Sequence, residues 1–195
     1  MASDLRFCRY LDMPFQHISD PVLKKMNRKI NRKEIEATMA KVRRKLPDVA
    51  WRTTFIVGFP TETDQDFEEL VDFVSEGHFQ HLGIFLYSDE DNIRSSKFGD
   101  PIPLSLKEER KNRLMEIQQK ISREHHQKMV GSLQQVLVGG FSSETDLLLE
   151  GRNQYQGPEV DGVVYINEGN ATSAGFHQVE ITEAHEYDLV GKILN

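Results

Sequence analysis

Three short stretches hold residue types suited to gripping a small molecule. Pro14-Phe15-Gln16-His17-Ile18-Ser19, Gly58-Phe59-Pro60-Thr61-Glu62-Thr63 and Tyr87-Ser88-Asp89 each follow an apolar run. The amide of Gln16 both donates and accepts hydrogen bonds. Gly58 lets a flat ring come close to the backbone, although Gly58-Phe59-Pro60 reads equally as a plain turn. Arg52 stands inside an otherwise apolar run, where a guanidinium either clamps a carboxylate or pairs within the chain. His17 is an acid–base candidate or a loop histidine bonded to backbone. His78 and His81 are three apart but lack a third metal ligand. His125 and His126 are neighbours on a helix, point different ways and are expected to face solvent. Asp89-Glu90-Asp91 reads as a solvated loop. Lys41, Arg43, Arg44 and Lys45 either meet a phosphate or form a wet helix face. No P-loop, GxSxG or HExxH pattern occurs.

The elements that must position these residues alternate. Arg9 to Met13 is a short strand stopped by Pro14. Asn31 and Glu34 form a capping box for a helix whose inner face is Ile35, Met39, Val42 and Leu46, ended by Pro47. Trp51 to Val57 is a buried strand, and Thr63 caps a helix facing inward through Phe67, Leu70, Val71 and Val74. Leu82 to Leu86 is a third strand. Ser105 and Glu108 suggest another capping box, opening a helix with Leu114, Ile117 and Ile121 that runs to about Met129. Strand–helix alternation predicts parallel βαβ units with ligands beyond the carboxyl ends of the strands. After Met129 five short apolar runs follow: Leu133–Val138, Leu147–Leu149, Val160–Ile166, Phe176–Thr182 and Leu189–Leu194. Gly139-Gly140, Gly157-Pro158 and Asn167 to Asn170 read as turns between them, which suggests a small OB-like barrel. The predicted division is 1–129 and 130–195.

Composition bounds the rest. The chain has 195 residues, 28% charged and 38% hydrophobic, with a formal net charge of -7. Residues 1–129 hold 22 Lys and Arg against 21 Asp and Glu, whereas residues 130–195 hold two against ten. Bulk charge therefore does not favour a generic grip on nucleic acid. Cys8 is the one cysteine, so this chain alone makes no internal disulfide, no zinc site of several thiolates and no cysteine-ligated iron cluster. No apolar run reaches the ~20 residues of a membrane helix, and a cytoplasmic location is expected.

Two stretches carry a specific likeness. Tyr10-Leu11-Asp12-Met13-Pro14-Phe15-Gln16-His17-Ile18-Ser19-Asp20 with Val22-Leu23-Lys24, and Arg52-Thr53-Thr54-Phe55-Ile56-Val57-Gly58-Phe59-Pro60-Thr61-Glu62-Thr63 with Asp66-Phe67, resemble the radical SAM methylthiotransferases. Tyr155 to Tyr165 and Tyr187 to Gly191 resemble the TRAM domain of the same family. The Gln-His-Ile-Ser form is similar to the branch that methylthiolates an aspartate of small-subunit ribosomal protein twelve.

The resemblance implies an α/β followed by all-β architecture: the last βα units of a radical SAM partial TIM barrel, then a small OB-like TRAM β-barrel. It implies S-adenosylmethionine (SAM) and two 4Fe-4S clusters in the full-length enzyme, whose cysteine motifs have no counterpart here, so the chain reads as a C-terminal fragment with no radical chemistry of its own. It places Gln16 at the ribose, Arg52 at the carboxylate and Tyr87 at the adenine of SAM, with Gly58 giving close approach. Thr61 stands where the family often has glycine, and Asp91-Asn92-Ile93 replaces a glycine-threonine pair. The acidic second region favours a basic ribosomal protein partner over RNA phosphate. A tRNA-modifying member of the family and a non-catalytic binding module are the alternatives. The first strand is expected to leave an exposed apolar edge prone to self-association.

Overall fold

The computed structural model describes residues 4, 6–89, 98–171 and 174–194. They fall into two compact units, one of Leu11–Gln118, the other of residues 6–10 with 119–194.

The first unit is built on a three-stranded sheet ordered β1-β2-β3, with β1 at Tyr10–Asp12, β2 at Ala50–Val57 and β3 at His81–Leu86. β2 and β3 run parallel from Arg52 opposite His81 to Val57 opposite Leu86. β2 is buried along nearly its whole length, as a central parallel strand must be. Four helices accompany the sheet: α1 (Asp20–Lys25), α2 (Arg32–Lys45), α3 (Asp64–Ser75) and α4 (Leu104–Gln127). The expected capping box exists at Asn31/Glu34, and Thr63, expected as a plain cap, closes a second box with Asp66. Their apolar faces converge on an aromatic cluster of Phe15, Trp51, Phe55, Phe73 and Phe79, with successive ring centroids about 6 Å apart.

One local expectation is corrected here, and one helix is new. α4 begins at Leu104, so Ser105 lies inside the helix. The Pro103 carbonyl accepts from the Leu106 and Lys107 N–H groups and sets the start instead. α1 was not legible as a helix because it is only six residues long, with Pro21 in its first turn.

The second unit contains a closed five-stranded barrel ordered β4-β5-β6-β8-β7: β4 (Leu133–Phe141), β5 (Leu149–Arg152), β6 (Val164–Glu168), β7 (Gly175–Ala184) and β8 (Leu189–Ile193). β6 pairs parallel with β8, and the other pairings are antiparallel. Val136, Val138, Val164, Ile166, Val179, Ile181 and Leu189 fill the interior. Gly139-Gly140 is not a turn. It lies inside β4 at an irregularity between Val138 and Gly140. An extra residue there bends the strand, so its first part pairs with β7 and its later part with β5. Leu147 and Val160 are exposed and precede their strands rather than opening them.

Candidate functional site

The carboxyl ends of the three strands carry the residues expected to meet a ligand. Gln16 adopts φ 75°, a left-handed conformation uncommon outside glycine. That turn lets its N–H donate to the Thr54 carbonyl and its own carbonyl accept from the Ile56 N–H, which extends the β1 side of the sheet as a parallel bridge to Phe55. Gly58 follows β2 at φ 75°. The Tyr87 N–H donates to the Val57 carbonyl at 2.9 Å, so Gly58 and Tyr87 come together where β2 and β3 end. Tyr87 is buried edge-on against Phe59, with centroids 5.3 Å apart. Its hydroxyl reaches Asp89 at 3.4 Å; Glu90 and the Asp91-Asn92-Ile93 departure lie outside the described residues.

Arg52 is not part of this group. It is the third residue of β2, opposite His81 at the start of β3, about 17 Å of strand from Val57 at ~3.3 Å per residue. Its guanidinium has a carboxylate inside the chain, Asp12, at 3.0 Å.

Two cations of α4 organise the strand ends. Lys107 is buried, and its ammonium donates to the Tyr87 carbonyl at 2.8 Å and to Asp100 at 2.6 Å. Its methylene stem covers Gly58 so closely that a Cβ there would overlap the Lys107 Cγ. The close approach that Gly58 permits is therefore made by Lys107. One turn on, Arg110 donates to Glu62 at 2.8 Å and to Asp64 at 2.6 Å. The second oxygen of Glu62 accepts from the Gly58 and Phe59 N–H groups at 2.8 and 3.3 Å. Burial pushes the Glu62 carboxyl up to about 6, against the pull of Arg110 and the two backbone donors.

His17 is fully enclosed. Its Nδ1 accepts from the Ser19 N–H at 3.0 Å, which leaves the ring proton on Nε2. Nε2 has no hydrogen-bond partner, with Glu62 3.8 Å away. Burial drives the His17 pKa down to about 4, so the ring is neutral near pH 7. Nearby, Asp66 accepts from the Ser19 and Thr63 hydroxyls; burial works to raise its pKa, but these bonds outweigh it and hold the carboxyl below its ordinary value. Thr61 Oγ1 is buried without a partner.

Sequence reasoning missed Lys107 and Arg110, which lie in the charged run Lys107-Glu108-Glu109-Arg110. Their signal was spacing: both share the helical stripe of Leu114, Ile117 and Ile121. His126 is also corrected: it is buried and bonds the His185 carbonyl at 3.0 Å. Arg43 is held inside as well, donating to the Val49 and His78 carbonyls. His78 contacts Glu76 at 2.6 Å. A shallow cleft of about 360 Å³ between α1 and α3 includes Thr61 but not Gln16, Gly58, Tyr87 or Arg52, so the strand-end chemistry, not the cleft, defines the candidate site.

The fit to the expected cofactors differs. The half-buried amide of Gln16 is chemically suited to a sugar hydroxyl, whereas the Phe59 and Tyr87 rings are buried against each other, Phe98 and Lys107. A 4Fe-4S cluster does not fit: Cys8 is exposed, and no three His, Cys, Asp or Glu gather among the described residues. No helix among the described residues is long and apolar enough to cross a membrane.

Comparison with known proteins shows two domain likenesses and a set of similar chains. Residues 2–74 match the radical SAM superfamily model, and residues 130–194 match the TRAM domain. The relatives are proteins named ribosomal protein uS12 methylthiotransferase RimO. The one from Bdellovibrio bacteriovorus is 49% identical over 194 residues, covering all of this chain and 42% of that protein. Those from Desulfotalea psychrophila and Myxococcus xanthus are 46% and 45% identical, again over the whole chain and over 44% and 41% of their own length. Over its whole length the chain is similar to these RimO proteins, and it spans about two fifths of their length.

Proposed function

We propose that the chain is the C-terminal portion of a cytoplasmic enzyme that methylthiolates an aspartate of ribosomal protein uS12. Identity approaching one half across the entire chain to proteins of that name is the observation that carries this reading. SAM and two 4Fe-4S clusters would supply the radical and sulfur chemistry in the complete enzyme. This chain's residues would contribute part of the SAM site. Gln16 would bind the ribose, Tyr87 with Phe59 the adenine, and Gly58, under the Lys107 stem, the tight turn that holds them. Arg52, paired with Asp12 near the start of β2, lies outside this grouping and is left out of the proposed site. With a single cysteine, the chain alone would cleave no SAM. β1 stands at the edge of the three-stranded sheet, which would give the chain a site for self-association.

The barrel region is proposed to dock uS12. Residues 130–195 carry ten acids against Arg152 and Lys192, a field that attracts a basic protein and repels a phosphate backbone. Binding of the chain to purified uS12 and to tRNA tests this. The expected result is salt-sensitive uS12 binding, weakened by the combined Glu144→Gln, Glu150→Gln and Glu159→Gln substitutions. Binding of tRNA through the barrel, read as a change in tRNA affinity in the same triple variant, would overturn it. Reconstitution with iron and sulfide followed by SAM cleavage would overturn the claim of inactivity.

A further inference from the structure

Charge is concentrated at a second place, opposite in sign to the barrel. Residues 24–45 hold ten of the chain's 24 Lys and Arg but two of its 31 Asp and Glu. Both acids are already engaged: Glu34 closes the capping box with Asn31, and Glu36 pairs with Arg32 at 2.8 Å. Of the cations, Arg43 is tied to backbone carbonyls. By contrast, the side chains of Lys24, Arg28, Lys29, Lys33, Lys41 and Arg44 are exposed and have no hydrogen-bond or ion-pair partner among the described residues. Lys33, Lys41 and Arg44 lie on the face of α2 opposite its buried Ile35 and Met39, and α2 is about 21 Å long at 1.5 Å per residue. Lys24, Arg28 and Lys29 continue the cationic surface through the end of α1 and the connection to α2.

We propose that this face docks the phosphate backbone of RNA. A rigid row of unneutralised cations over such a length matches successive phosphates. The large apolar side chains of α2 turn inward, and no exposed large hydrophobic residue lies between 24 and 45, so the face lacks the wedge that a membrane-surface helix inserts. The choice of RNA among polyanions rests on the reading of the chain as a ribosomal-protein-modifying enzyme, whose target sits among RNA.

The probe is a fluorescein-labelled ribosomal RNA hairpin, titrated with the 195-residue chain between about 50 and 200 mM salt. Four to five phosphate contacts predict that log K falls with log salt at a slope of about -3 to -4. The Lys33→Glu, Lys41→Glu, Arg44→Glu variant is expected to lose about tenfold or more in affinity and to flatten the slope. A neutral Lys24→Gln, Arg28→Gln, Lys29→Gln variant, which leaves α2 unchanged, is expected to lose affinity to a smaller extent. Wild-type affinity in both variants overturns the proposal, as does tighter binding to vesicles containing anionic phospholipid than to the hairpin. The measurement contains neither uS12 nor SAM, so its failure leaves the methylthiotransferase reading standing, and loss of uS12 binding leaves this face untouched.

Discussion

The Nε2 of His17 lies 3.8 Å from a carboxylate oxygen of Glu62, with both side chains sealed from solvent. The separation is just too long for a hydrogen bond. The loop after β1 and the loop after β2 thus face each other across a neutral ring and a carboxylate held by Arg110. Burial moves the two groups' pKa values in opposite directions, His17 down to about 4 and Glu62 up to about 6.

The stability of the first unit should therefore respond to acid through His17. The ring's folded pKa lies below its ordinary 6.5, so its contribution is complete above pH 6.5 and is lost as pH falls toward 4. The loss amounts to about 3 kcal/mol. Urea denaturation of wild type and His17→Gln at pH 7 and pH 4 checks this: the variant should lose less stability between the two. Glu62 acts in the other sense. Its raised pKa gives a contribution present below about 4.5 and lost as pH rises through about 6.

Arg110 and Glu62 should behave as a unit. Glu62→Gln leaves the buried guanidinium with Asp64 as its remaining charge partner and is expected to cost about 1 to 3 kcal/mol. Arg110→Met leaves the carboxylate exposed to the same penalty. A double-mutant cycle by chemical denaturation should show the double variant well short of the sum. Additive losses would mean the pair is not coupled.

The N-cap of α3 offers a milder test. Thr63 accepts from the Asp66 N–H and donates to its carboxylate. Thr63→Ala should cost about 1 to 2 kcal/mol in thermal unfolding, with the sheet intact by circular dichroism.

In the barrel, Gly162 and Gly139 should part company. A Cβ at Gly162 would overlap the Tyr187 carbonyl, whereas one at Gly139 meets nothing nearer than 3.9 Å. Gly162→Ala is expected to destabilise by about 3 kcal/mol through overpacking, and Gly139→Ala to leave Tm nearly unchanged.

What could be read from residue order was local. The capping boxes at Asn31 and Thr63 announce themselves within four residues, and the strand ends announce themselves by Gly and Pro. His126 does not, because its burial depends on His185, 59 residues on. Lys107 and Arg110 were hidden because a charged run reads as a solvated surface until the ends of β2 and β3 are seen beneath it. Arg52 was legible as an odd cation in an apolar strand. Which end of the strand it occupies relative to Tyr87 emerged only from the register with β3.

The strand order of the barrel bears on how it is made. β8 leaves the ribosome after the other four strands of the barrel, yet it sits between β6 and β7 and joins them. A nascent chain that has not yet exposed Leu189–Ile193 has four strands and a seam it cannot close. The barrel is thus a late-maturing element of translation, and shortening the chain before Leu189 would leave β6 and β7 with open edges for aggregation or for the cell's proteases.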